Sequence, residues 1–142
     1  MIESATPNDL PEIRALLQRL RLPLEGVAEH LTTMLVAREG EAIVGTAALE
    51  LYAEGALLRS VAVEPQWQGK QLGHQLIDAA LQLATTHGVR TVFLLTTTAE
   101  QFFPKFGFEQ INREQVPPSV RRSAEFQSAC PASAIVMRRP LR

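Results

Sequence analysis

The stretch Leu57 to Gln75, LLRSVAVEPQWQGKQLGHQ, constrains the fold most. It reads as a buried strand ending at Val63, a tight loop carrying Pro65 and Gly69, and a helix beginning at about Gln71. Proline cannot donate to a ladder, so Pro65 closes the strand. A strand that passes at once into a helix leaves backbone N–H groups of the loop and first helical turn without partners inside the helix. Those donors and the helix dipole make an anion site suited to a pyrophosphate. Gly69 permits close backbone approach, Gly73 lets the helix lie near the strand or a ligand, and Lys70 adds a charge that could meet a phosphate. On spacing alone, an ordinary connection whose glycines only make turns accounts for the pattern as well.

The flanking segments fix the class. Ile2 to Ala5 is a short strand candidate. Thr6-Pro7-Asn8-Asp9 then offers a cap, a first-turn proline and an acidic residue for the positive end of a helix. Leu10, Ile13, Leu16, Leu17 and Leu20 follow at helical spacing, and the helix should stop before Pro23. Residues 24–31 suit a second short helix. Met34 to Ala37, Ala42 to Leu51 and Ala56 to Val63 are strands separated by Glu39-Gly40-Glu41 and Ala53-Glu54-Gly55, which predicts an antiparallel meander. Gln71 to His87 is the clearest helix, stopped by Gly88. Thr91 to Leu95 reads as a strand buried on both faces. Ala99 to Phe106 reads as a short helix in which Pro104 predicts a kink or a single tight turn. Phe108 to Ile111 and Ala132 to Met137 complete the strands, with a short helix inside Val116 to Ser128. Meander strands first, then mixed elements, predict an α+β sandwich.

At 142 residues the chain suits one domain, 1–142, around one core. Its net charge of −1, from 14 basic and 15 acidic side chains, gives no basic excess for nucleic acid or an acidic membrane. Arg121, Arg122, Arg138, Arg139 and Arg142 read as solvated surface. The single cysteine, Cys130, rules out an internal disulfide and a Cys-based zinc site. His30, His74 and His87 show no ligand spacing, so no metal is expected. No apolar run has the length of a signal or a membrane span, and a cytoplasmic location is the expectation.

Val63-Glu64-Pro65-Gln66-Trp67-Gln68-Gly69-Lys70-Gln71-Leu72-Gly73 resembles the acetyl-CoA loop of the GNAT N-acetyltransferase superfamily, whose pattern is Gln/Arg-x-x-Gly-x-Gly/Ala. Gln68 and Gly73 fill its outer places. Gln71 stands at the middle glycine, which implies a left-side-allowed geometry that does not demand glycine. It also puts a long polar side chain near the pyrophosphate, with weaker CoA binding as one result. Gln101-Phe102-Phe103-Pro104-Lys105-Phe106-Gly107-Phe108 resembles the family's helix-to-strand segment. There Phe103 occupies the place of a tyrosine that protonates the leaving thiolate in many relatives, and phenylalanine has no proton to give. A thiol pKa of about 8.5 makes unassisted departure tolerable. The resemblance implies a GNAT-like, mainly antiparallel mixed sheet with helices on both faces, and acetyl-CoA as co-substrate. It implies CoA contacts from Val61, Ala62, Val63, Gln68, Gly69, Lys70, Gln71, Leu72, Gly73 and His74, with the Val63 N–H meeting the thioester oxygen. The segments ALLRSVAVEP, FLLTTTAEQFFPKFGF and AEFQSACPASAIVMRR are similar to the arsenic-resistance-associated branch. Its members and their nearest relatives acetylate glutamate-like toxins such as phosphinothricin and its arsenical analogue.

Acyl transfer needs a neutral amine and a fixed donor for the thioester oxygen. Arg59 is odd in the strand LLRSVAV. Strand alternation places it with Leu57, Val61 and Val63 on one face, either in a structural ion pair or as a clamp on a substrate carboxylate. No residue type or spacing singles out a general base: Glu50, Glu64 and Glu125 are candidates, each equally readable as a solvated carboxylate. Thr97, in Thr96-Thr97-Thr98, offers a hydroxyl at a strand's C-terminal end. Arg59, Glu64 and Thr97 are the expected catalytic set. A non-catalytic acyl-CoA-binding module and a protein N-acetyltransferase remain as alternatives to a small-molecule amine acetyltransferase. The strand Ala132 to Met137 could pair with a second copy of the chain, giving a homodimer.

Overall fold

The computed structural model describes residues 1–141, so Arg142 lies outside the described residues. The first strand, β1 (Ile2–Ser4), leads to a 3₁₀ turn and helix α1 (Leu10–Arg19). The Asp9 carboxylate accepts the Thr6 N–H at 2.9 Å, so the helix entry is fixed by its own polar residues. A 3₁₀ segment, Ala28–Thr33, replaces the second helix and is broken at His30. The meander follows as β2 (Met34–Glu39), β3 (Ala42–Tyr52) and β4 (Gly55–Val63). Helix α2 (Leu72–Thr86) then crosses to β5 (Thr91–Thr96). Strands β6 (Glu109–Ile111) and β7 (Ile135–Pro140) close the chain, joined by 3₁₀ turns and a wide turn at Glu125–Ala129.

The strands form one sheet in the order β1-β2-β3-β4-β5-β7-β6. Neighbours run antiparallel except β4 and β5. Helix α2 covers one face through Leu76, Ile77, Ala80 and Ala84, packed on Leu49, Leu58 and Leu94. Each such leucine contributes about 1.5–3 kcal/mol of burial. Helix α1 covers the other face through Ile13, Leu16 and Leu17 against Met34, Val36 and Ala48. The β6–β7 connection extends that second face, with Val116 and Val120 packed on Leu57 and Phe93. The expected α+β sheet with helices on both faces is therefore present.

Two expectations are corrected. The last strand runs Ile135–Pro140, not Ala132 to Met137, and both its sides are occupied, by β5 and β6. It offers no edge to a partner; the sheet's outer strands are β1 and β6. Strand β4 also fails to keep its alternation. Ala48 pairs with Arg59 and Thr46 pairs with Ala62, so β4 carries one extra residue between them. Ser60 sits in that bulge with φ +56, and its carbonyl accepts the Thr46 hydroxyl at 2.7 Å. A bulge shifts the parity of every later residue. Val61 and Val63 consequently pack with the α2 face, while Leu57 and Arg59 point to the opposite face.

Candidate active site

The loop after β4 presents a run of unsatisfied amides. Among the described residues, the backbone N–H groups of Gly69, Lys70, Gln71, Leu72, Gly73 and His74 have no protein acceptor. The first intrahelical bond of α2 comes from Gln75 N–H to the Gln71 carbonyl, at 3.1 Å. Two left-handed residues shape the loop: Gly69 at φ +79 and Gln71 at φ +72. The Gln71 conformation is the one expected at that place, and it costs about 1–2 kcal/mol in a residue with a Cβ. Gln68 folds back, its Nε2 donating to the Val63 carbonyl at 3.0 Å, which ties loop to strand. Lys70 lies 5.3 Å over the Trp67 ring and leaves its ammonium at the surface. His74 packs edge-on to Phe102 and Phe106, so the ring's role in the structure is that of an aromatic neighbour. Gly73 lets Phe102 and Val63 approach: an added Cβ would lie 3.5 Å from the Phe102 ring.

Beside this loop the sheet parts. β4 and β5 pair only at Ala56 with Val92 and Leu57 with Phe93. Beyond that point the two strands diverge. Glu64 N–H bonds to the Val44 carbonyl at 2.8 Å, so the alternating antiparallel pattern makes Ala62 and Thr46 the next hydrogen-bonded pair. The Val63 N–H and carbonyl then point away from β3, into the gap left by β5.

A cavity of about 360 Å³ opens beside the gap. Its walls include Arg21, Leu58 to Val61, Leu94 to Ala99, Phe103, Glu125 and Cys130. That volume falls within the range of small-molecule sites. A buried polar network forms its floor. Arg59 Nη1 lies 2.7 Å from Glu50 and its Nε 3.2 Å from Glu125. Arg59 Nη2 donates to the Pro23 carbonyl at 3.2 Å and Nε to Ser60 Oγ at 3.3 Å. Register explains the first pair: Glu50 and Arg59 are diagonal neighbours on one face of β3 and β4.

The two carboxylates respond differently. For Glu50, burial pushes its carboxyl up, but hydrogen bonds from Ser123, Tyr52 and Arg59 and the nearby His30 hold it below the ordinary value. The Tyr52 hydroxyl donates at 2.5 Å and His30 Nε2 lies at 3.7 Å. Glu125 is pushed up to about 7, chiefly by burial, with the opposing pull of Arg59 too weak to offset it. The neighbouring Cys130 thiol is pushed up to about 12 by burial and by Glu125. It is a hydrogen-bonding neighbour of Glu125 and a poor nucleophile.

Of the expected catalytic set, the cavity brings together Arg59 and Thr97. Glu64 is elsewhere, paired with Arg19 of α1 on the other side of β4's end. Arg59 lines the cavity, yet its side chain is fully buried and its three nitrogens all face protein acceptors, so the clamp expected of it gives way to the ion-pair alternative. Thr97 is exposed at the rim, while Thr96 Oγ1 accepts the Ala99 N–H at 3.0 Å. Two features escaped the sequence: the bulge at Ser60, and Arg21 on the cavity wall. An arginine two residues before Pro23, past the end of a helix, was the available signal for the second.

Comparison with known proteins agrees with this geometry. The model of the Acetyltransferase (GNAT) domain matches residues 30–110. An uncharacterized N-acetyltransferase of Chlorobaculum tepidum is 30% identical over 104 residues, 72% of this chain and 66% of its own length. An amino-acid acetyltransferase of Mycobacterium tuberculosis is 30% identical over 130 residues, covering 84% of this chain and 74% of that protein. The chain spans only 26% of a similar Aeromonas salmonicida amino-acid acetyltransferase. A Mycobacterium tuberculosis protein solved in complex with CoA superposes over 100% of this chain and 99% of its own, at 26% identity and a TM-score of 0.84. Loop, parted strands and matched residues together show that this chain belongs to the GNAT acetyltransferase family.

Proposed function

We propose that the chain transfers the acetyl group of acetyl-CoA to the amino group of a small, glutamate-like amino acid. The observation that carries this is the placing of Glu125, buried and near-neutral in its affinity for protons, in a cavity that opens at the parted strands beside the amide-rich loop. The amides of Gly69 to His74 suit the diphosphate, with Val61, Ala62 and Val63 along the pantetheine arm and Gln68 bracing the loop. Its relatives named amino-acid acetyltransferases support the amino-acid class.

In this reading Glu125 takes a proton from the acceptor ammonium. The ammonium of a free amino acid lies roughly two to three pH units above a carboxyl near 7, which makes that step uphill by about 3–4 kcal/mol. The freed nitrogen attacks the thioester carbonyl carbon, and the Val63 N–H meets the oxygen as charge grows there. The C–S bond then breaks and the sulfur leaves with its electron pair as thiolate. Phe103 gives it no proton; the attacking nitrogen sheds its second proton as the amide forms, and that proton reaches the thiolate through water. Arg59 positions Glu125 rather than touching the acceptor, and Thr97 lends a hydroxyl at the rim.

The narrower acceptor, phosphinothricin or its arsenical analogue, is suggested by the likeness of ALLRSVAVEP, FLLTTTAEQFFPKFGF and AEFQSACPASAIVMRR to the arsenic-resistance-associated branch. One assay decides among the readings: thiol release from acetyl-CoA with a panel of glutamate, other amino acids, phosphinothricin and simple amines. Saturable release with glutamate-like acceptors is expected. CoA binding without thiol release for any amine would instead make the chain a non-catalytic acyl-CoA module.

A further inference from the structure

The cavity walls carry two cations, and only one is spoken for. Arg59 faces Glu50, Glu125 and the Pro23 carbonyl. Arg21, by contrast, makes no side-chain ion pair or hydrogen bond among the described residues, although it lines the same cavity and is exposed at its rim.

The backbone around Arg21 makes the residue stand out further. Helix α1 ends with Arg21 N–H on the Gln18 carbonyl at 3.1 Å and Leu22 N–H on the Leu17 carbonyl at 2.9 Å. That paired closure turns on one left-handed residue, a place usually held by glycine. Here it is Arg21, at φ +61. The helix end has no need of this side chain. A cation near the C-terminus is favoured by the dipole, but Arg19 already supplies one from the last turn. A costly arginine thus stands where glycine closes helices best, and its free guanidinium lies at the mouth of a cavity whose floor holds Glu125.

We infer that Arg21 selects an acidic acceptor, its guanidinium gripping a carboxylate of the acceptor amino acid while the amino group meets Glu125. The inference rests on the acetyltransferase reading and assigns to Arg21 the clamp that Arg59 is too engaged to provide. Arginine suits the task because its planar fork matches a carboxylate in two bonds.

The test is steady-state acetyl transfer by the full chain and by Arg21→Gly and Arg21→Lys, using glutamate, glutamine and glutamate α-amide. Arg21→Gly should melt no lower than the parent, because glycine suits the left-handed site. Its KM for glutamate should nevertheless rise roughly 10- to 100-fold, the range for losing a charged hydrogen-bond pair. Arg21→Lys, a point charge without the fork, should fall between. For one of the two amides the effect of Arg21→Gly should vanish, which identifies the carboxylate gripped. An equal loss for all three acceptors, or an unchanged KM for glutamate, overturns the clamp and leaves the acetyltransferase reading standing. A parent chain that acetylates no amino acid overturns both.

Discussion

Glu125→Gln separates the cost of keeping a buried carboxylate from the use made of it. In the folded chain the Glu125 carboxyl is pushed from an ordinary 4.5 to about 7, first by burial. A raised carboxyl means that the folded state holds the proton more tightly than the unfolded chain. Its contribution is therefore most favourable below pH 4.5 and is lost as pH rises to about 7. At about 1.4 kcal/mol per pH unit, the gap amounts to about 3 kcal/mol of stability forgone at pH 8. Glutamine copies the protonated acid in shape and can still accept from Arg59, whose Nε lies 3.2 Å away. Urea denaturation at pH 4 and pH 8 should show parent and variant nearly equal at the acid end, with the variant about 3 kcal/mol more stable at pH 8. Over the same series kcat/KM should fall at least about 100-fold, the loss of a positioned base, and its rise through pH 7 should disappear. A variant less stable than the parent at pH 8 would refute the reasoning, because the attraction of Arg59 would then outweigh burial. Undiminished acetyl transfer would remove Glu125 as the base.

Other substitutions probe the remaining parts. Arg59→Met strands Glu50 and Glu125 without their partner and should cost about 3–5 kcal/mol at neutral pH by urea denaturation. It should also move the rising limb of the pH–rate profile above 7, since Arg59 holds the Glu125 carboxyl down. Gln71→Gly removes the strain of the left-handed loop residue and should raise the melting temperature, by about 1 kcal/mol in stability. Calorimetry on the same variant should show tighter CoA binding, and an unchanged Kd would place the Gln71 side chain clear of the diphosphate. Phe103→Tyr puts a hydroxyl on the cavity wall and should change kcat by less than about tenfold. A gain of about 100-fold, the yield of a positioned acid, would show that thiolate departure limits the parent.

The legible and illegible parts of the chain divide along a physical line. The meander, α2 and the amide loop follow from residues close in sequence: Gly40 and Gly55 turn the chain, Pro65 stops β4, and the apolar face of Leu76, Ala80 and Ala84 marks the helix. The bulge does not, because Ser60 carries no turn signature and the group that satisfies its carbonyl, the Thr46 hydroxyl, comes from another strand. That single extra residue moved Val61 and Val63 off the face that simple alternation assigns them. The polar floor was equally out of reach. Arg59 meets Glu125 only because the β6–β7 connection folds back over the sheet, across more than sixty positions of sequence. Glu64, adjacent to the loop in sequence, went to Arg19 instead. Nearness to the loop in sequence did not mark which of the three carboxylates lines the cavity.

The parting of β4 from β5 has a thermodynamic consequence. Two residue pairs are all that joins these strands, so the ladder is unfinished along the rest of both. A guest that slides into the slot and bonds to the Val63 backbone completes it, and the chain's cohesion becomes coupled to occupancy. Ligand at a hundred times its Kd would add about 2.7 kcal/mol to the folded state. The proton on the Val63 nitrogen, open to solvent exchange while the slot is vacant, becomes a local gauge of whether the two halves of the sheet have been bridged.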